Sequence, residues 1–79
     1  MDNNIIENSL SRFLFGHNIE QVFSALVYRA EITTLRIDYL ENKIDQVTYQ
    51  EKMKKFIDDY ENDINSTPEL KAWVFQESL

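Results

Sequence analysis

Glycine and proline occur once each in this 79-residue chain, and cysteine not at all. Each scarcity removes a class of answer. Strand-rich folds punctuate many turns with glycine and proline, so an all-α chain is expected instead. Without cysteine there are no disulfides and no thiolate metal sites. The single histidine excludes a metal centre built from several imidazoles. No apolar run approaches the roughly 20 residues of a membrane span. The opening "MDNNIIENSL" lacks a basic region followed by an apolar core, so it reads as neither secretory signal nor transit peptide. A cytoplasmic, intracellular location is the expectation. The net charge of −6 argues against direct contact with nucleic-acid phosphates or an anionic membrane. Its plainest role is solubility.

What is present is enough for one small domain, residues 1–79. A chain of this length buries a modest share of its surface. With disulfides and metals set aside, its stability has to come from helix packing or self-association.

Four helical segments fit the pattern of apolar residues. In "NNIIENSLSRFLF", Ile6, Leu10, Phe13 and Leu14 fall at helical spacing, and Gly16 supplies a stop. Asn18 with Gln21 forms a capping-box pattern opening a second helix, expected over Ile19–Lys43. A third helix opens at "IDQVTYQEK", with Asp45 or Thr48 as its cap. Its apolar stripe is Tyr49, Met53, Phe56, Ile57, Tyr60 and Ile64. Thr67, Pro68 and Glu69 open a short fourth helix carrying Leu70, Trp73, Val74 and Phe75. Short hinges predict antiparallel neighbours. The expected architecture is a small antiparallel bundle of three main helices plus a short C-terminal one.

The second helix is apolar on two sides. Ile19, Phe23, Leu26, Ala30, Thr33, Ile37, Leu40 and Ile44 repeat at alternating intervals of four and three, a heptad seam. Ala25, Tyr28, Ile32, Leu35 and Tyr39 form a second set, about 150° away on a wheel of 100° per residue. Arg29, Arg36 and Lys43 line one strip between the sets; Glu20, Glu31, Asp38 and Glu41 line the other. A helix greasy on two sides is a central element. One seam is expected to serve the chain's own bundle. The other, Tyr28, Ile32, Leu35 and Tyr39 with Arg29 and Arg36 beside it, is the candidate interface for a second copy in a homodimer. In the register of the first, heptad seam, a parallel pairing would place Arg36 opposite Glu41 of the other copy. A closed monomer is the alternative.

No residue set reads as catalytic, and neither a cofactor nor a metal is expected. His17 has no partner acid or nucleophile by motif, and a solvated histidine at a helix boundary is its simpler reading. Asp58, Asp59, Glu61 and Asp63 crowd into "DDYEND", but the EF-hand pattern fails. Counted from Asp59, Ile64 stands where glycine is needed and Leu70 where glutamate is needed. These carboxylates are candidates for a face toward a basic partner, against the plainer reading of a solvated surface. Trp73 reads as a core residue before an interface anchor. Residues 40–58, "LENKIDQVTYQEKMKKFID", resemble the helical hairpin family called SHOCT, with Asn42 and Lys43 where that family has its turn glycine. The resemblance implies a helical hairpin and nothing further.

Three functional readings follow. The first is a protein–protein interaction module, such as an adaptor, chaperone, antitoxin or phage-encoded inhibitor, acting by surface occupation. The second is an acidic inhibitor that imitates nucleic acid and blocks a nucleic-acid-binding enzyme. The third is a small nucleotide-ligand binder that stacks its ligand on Tyr28, Tyr39 or Trp73.

Overall fold

A computed structural model describes residues 16–76, and every regular element in that range is helical. The chain is all-α there: α1 is Ile19–Leu40, α2 is Gln46–Glu61 and α3 is Pro68–Val74. The helix expected before Gly16 lies outside the described residues.

The caps explain the boundaries. Asn18 Oδ1 accepts from the Gln21 N–H at 2.8 Å, and Gln21 Oε1 accepts from the Asn18 N–H at 3.0 Å, closing the capping box that starts α1. At the other end the helix stops at Leu40, short of the expected Lys43. Asn42 sits in the left-handed region at φ 61°. The Asn42 N–H bonds Tyr39 O, and the Lys43 N–H bonds Asp38 O. This is a Schellman motif with asparagine in the position glycine usually fills.

Of the two caps weighed for α2, Asp45 is the one used, accepting from the Thr48 N–H at 2.7 Å. Hydrogen bonding from Thr48, its side chain first and then this N–H, holds the carboxyl below the usual carboxylate range. The helix ends at Glu61, so Ile64 falls outside it and stands 94% exposed instead of joining the stripe. The cause is local competition for backbone groups. Asn62 Nδ2 donates to Asp58 O, and Asp63 Oδ1 accepts from the Asn65 N–H. Thr67 caps α3, with Pro68 in its first turn.

Two aromatic pairs give the alignment of α1 and α2. Tyr39 stacks on Tyr49 at 4.4 Å between centroids, and Tyr28 meets Tyr60 edge-on at 5.0 Å. Eleven residues back along α1 correspond to eleven forward along α2, so the helices run antiparallel. α3 packs on the same side of α1 as α2. The core is Ala25 and Ile32 from α1, Tyr60 from α2, and Leu70 and Val74 from α3, all at 0–1% exposure. The Cα trace measures 44 × 31 × 14 Å. Its least dimension is about one interhelical spacing plus two helix radii, so the body is two helices deep.

Tyr60 is the largest fully buried side chain, with Tyr28 on one edge and Phe75 on another. Its hydroxyl lies near the Thr67 backbone, yet no group reaches hydrogen-bond geometry with it. A buried hydroxyl without a partner costs about 1–3 kcal/mol. Tyr60→Phe is therefore expected to leave stability unchanged or raise it by up to ~1 kcal/mol in urea denaturation. Tyr60→Ala removes the ring and is expected to lose about 3–5 kcal/mol, enough to unfold a chain this small.

Candidate interaction surfaces

The structure assigns the two seams of α1 to opposite fates. Val22, Ala25, Ile32 and Leu35 are buried, and Tyr28 and Tyr39 are half-buried against α2. The candidate interface Tyr28, Ile32, Leu35 and Tyr39 is thus covered by the chain's own α2 and α3. The heptad seam is the bare one. Ile19 is 83% exposed, Phe23 66% and Leu40 77%, with Leu26 and Ile37, and Val27 beside the seam, close to half-exposed. The reason lies in the partners. α2 and α3 bring bulky rings, Tyr49, Phe56, Tyr60, Trp73 and Phe75, and these fit the side of α1 that supplies Ala25 as a recess and Ile32 as a knob.

Charge fixes which helix lies on which flank. Arg29 and Arg36 border the buried side and reach across to the end of α3. Arg29 Nη1 donates to Val74 O at 3.1 Å and Gln76 O at 2.7 Å, and more weakly to Trp73 O at 3.3 Å. Arg36 donates to Gln76 O at 2.6 Å and Phe75 O at 3.2 Å. The Arg29 guanidinium also stands 5.6 Å from the centroid of the Trp73 ring. The last carbonyls of a helix have no partners within it and carry the negative end of its dipole. Two guanidiniums meet both needs at once. Sequence spacing placed Arg29 and Arg36 at an interface with another chain, and they instead close this chain on itself. Within the chain, Arg36 is engaged by the end of α3 and Glu41 pairs with Lys43 at 3.1 Å.

The four clustered carboxylates separate. Glu61 pairs with Lys71 Nζ at 2.7 Å, and Asp63 shapes the turn before α3. Asp58 and Asp59 are exposed and form no ion pair among the described residues. The cluster still projects a field: burial first, then the charges of Asp63, Asp59 and Glu31, raise the pKa of the Tyr28 hydroxyl. Tyr60 is raised chiefly by burial.

Among the described residues no group of three or more histidine or carboxylate side chains is placed to hold a metal ion. No described helix is long and apolar enough to cross a membrane. An open groove of about 370 Å³ runs between α1 and α2, with Leu35 and Phe56 at its base and Glu31, Asp38 and Lys52 around it. A second, of about 340 Å³, lies beside Ile19 and Phe23 and is bounded by Asn65. Nothing in the sequence marked either one. No family model, curated protein or solved structure matches the chain.

Replacing either arginine with methionine keeps the apolar stem and removes the donors. Each change is expected to cost about 1–3 kcal/mol. The double variant is expected to cost less than the sum, because both side chains share Gln76 O. Lysine is expected to restore little, since it lacks the planar fork. A double-mutant cycle in urea measures this.

The raised tyrosines set a second expectation. An unfolded tyrosine loses its proton near pH 10, before the folded Tyr28 and Tyr60 do. Their contribution is complete below that pH and is lost as pH rises beyond it. The urea midpoint is expected to fall between about pH 9 and pH 11, and less steeply in Tyr28→Phe.

Proposed function

We propose that this protein is a small acidic protein–protein interaction module of adaptor, chaperone or inhibitor type. It acts in the cytoplasm by occupying a partner's surface, not by catalysis, and it self-associates through α1. One observation carries the reading: Ile19, Phe23, Leu26, Ile37 and Leu40 stand exposed at heptad spacing along one face. The chain's own core holds only seven buried hydrophobic residues among those described. Leaving almost as many large apolar groups in water costs solubility and offers no gain to an isolated chain. Heptad spacing is the pattern by which one helix receives another. Within this reading the chain is an antiparallel bundle of three main helices and a short C-terminal one.

A second reading draws on the acidic end. The field that raises the Tyr28 pKa comes from Asp59, Asp63 and Glu31, and Asp58 lies exposed beside them. A basic nucleic-acid-binding protein would be attracted to that end. Exposed Lys52, Lys54 and Lys55 on α2 dilute the field. Partner binding that collapses in high salt supports this second reading, and salt-insensitive binding supports the first.

The deciding experiment is solution mass by light scattering over a concentration series. The unaltered chain is expected to form dimers or larger assemblies. Ile37→Asp and Leu40→Asp are each expected to weaken that association by ~100-fold or more, because burying an unpaired carboxylate costs several kcal/mol. Both positions are exposed, so folding is expected to survive. A monomer at every concentration overturns self-association.

A further inference from the structure

The groove between α1 and α2 has an apolar floor and a charged rim, and the two are set at helical intervals. We propose that it receives a basic amphipathic helix of a partner protein, with two apolar side chains seated against Leu35 and Phe56 and one cation on each of Glu31 and Asp38. This rests on the interaction-module reading and not on self-association, which is probed at Ile37 and Leu40, outside the groove.

The floor comes first. Ala30, Thr34 and Leu35 belong to α1, and Phe56 comes from α2. Ala30 is exposed, and its single methyl leaves space that a longer side chain would fill. Thr34 is exposed too, but its hydroxyl donates to Ala30 O at 3.1 Å. With that group satisfied by its own helix, Thr34 adds little polarity to the slot. At about 370 Å³ the groove lies at the small end of ligand sites, which run roughly 300–1,000 Å³. Being open, it suits side chains carried on a backbone that passes over it.

The rim supplies the register. Glu31 and Asp38 are seven residues apart, so they stand nearly in line along α1, about 10.5 Å from each other in axial rise. Thr34 and Leu35 fall between them. A helix laid alongside matches this when it carries cations at i and i+7 and apolar residues at i+3 and i+4. The pattern is symmetric, so it fits either chain direction. Among the described residues no ion pair joins Glu31 or Asp38 to a cation. Lys52, on the α2 side, is the one cation lining the groove against these two acids. Asp59 and Asp63 add negative charge toward the Glu31 end: after burial, Asp63, Asp59 and Glu31 together raise the pKa of the Tyr28 hydroxyl.

A second copy does not supply the complement. Arg29 and Arg36 are held by the carbonyls at the end of α3, and Lys43 and Lys71 are paired with Glu41 and Glu61. The other described cations, Lys52, Lys54 and Lys55, all lie on α2. The one large apolar side chain exposed on α2 is Val47, five residues from the nearest of them. No described face therefore sets exposed apolar residues between two available cations. The occupant is a different chain.

The probe is a sixteen-residue capped peptide with arginine at its fifth and twelfth positions and leucine at its eighth and ninth, on an alanine and glutamine background. Its affinity for the full chain is read by fluorescence anisotropy. The control peptide has the same composition, with the arginines moved to the face opposite the leucines. The patterned peptide is expected to exceed the control ~tenfold or more in affinity. Glu31→Gln with Asp38→Asn is expected to weaken its binding about tenfold, through the loss of two ion pairs. Ala30→Phe fills the slot and is expected to weaken it by a similar factor. Asp58→Asn with Glu51→Gln removes two charges from exposed positions elsewhere on α2, and less than a twofold change is expected. Circular dichroism and urea midpoints check that each variant is folded.

The proposal is overturned by any of four results: no binding of the patterned peptide, equal binding of the control peptide, unchanged affinity in both folded groove variants, or an equal loss in the variant at Asp58 and Glu51. Leu40→Asp separates this site from self-association, since it is expected to lower the solution mass and leave peptide affinity unchanged. A monomer that binds the peptide removes self-association alone. A dimer that ignores the peptide removes the groove proposal alone.

Discussion

The capping of α3 by Arg29 and Arg36 is the contact on which the rest of the fold depends. A seven-residue helix is too short to persist on its own, because nucleating it costs more than its few internal bonds return and its last four carbonyls lack partners within the helix. Yet α3 supplies Leu70 and Val74, two of the five fully enclosed core residues. Take it away and Ile32 and Tyr60 lose a wall. The guanidiniums convert a weak helix into a fixed one, and a fixed α3 completes a core that α1 and α2 leave open. Burial and polar satisfaction are coupled here, and neither would suffice alone in a chain with so few buried groups.

The same contact explains the asymmetry of α1. Its basic strip points toward the negative end of α3, and its acidic strip, Glu31 and Asp38, lies along the groove shared with Lys52 of α2. The two strips sort the two flanking helices to their sides. They leave the heptad face largely uncovered by α2 and α3. That face carries Ile19, Phe23, Leu26, Ile37 and Leu40 exposed, and it is the surface on which the functional reading rests.

Local features were legible in the sequence wherever one residue determines one hydrogen bond. Asn18 with Gln21, Asp45, and Thr67 with Pro68 all cap as their types require. The end of α1 was harder, because Asn42 adopts a left-handed conformation that asparagine takes only sometimes. The end of α2 was hidden for a similar reason, since Asn62 and Asp63 bind their own backbone in place of continuing a stripe to Ile64. The choice between seams was not legible at all. Both are apolar, and the heptad set is the longer. What separates them is the fit of rings from other helices and the reach of two arginines to carbonyls 39 to 47 residues away. Side chain to backbone bonds at that separation leave no spacing pattern to read.

The separation has a consequence in time. Arg29 and Gln76 are joined across 47 positions, so this closure has to wait until all of that span has been made. As the chain leaves the ribosome, α1 and α2 can pair as a hairpin, but Ile32 and Tyr60 stay unroofed until residues 70–76 have emerged. Closure of the described core therefore waits for α3, and until then Ile32 and Tyr60 lack the wall that Leu70 and Val74 provide. A nascent chain is therefore most exposed to misassociation before α3 has emerged.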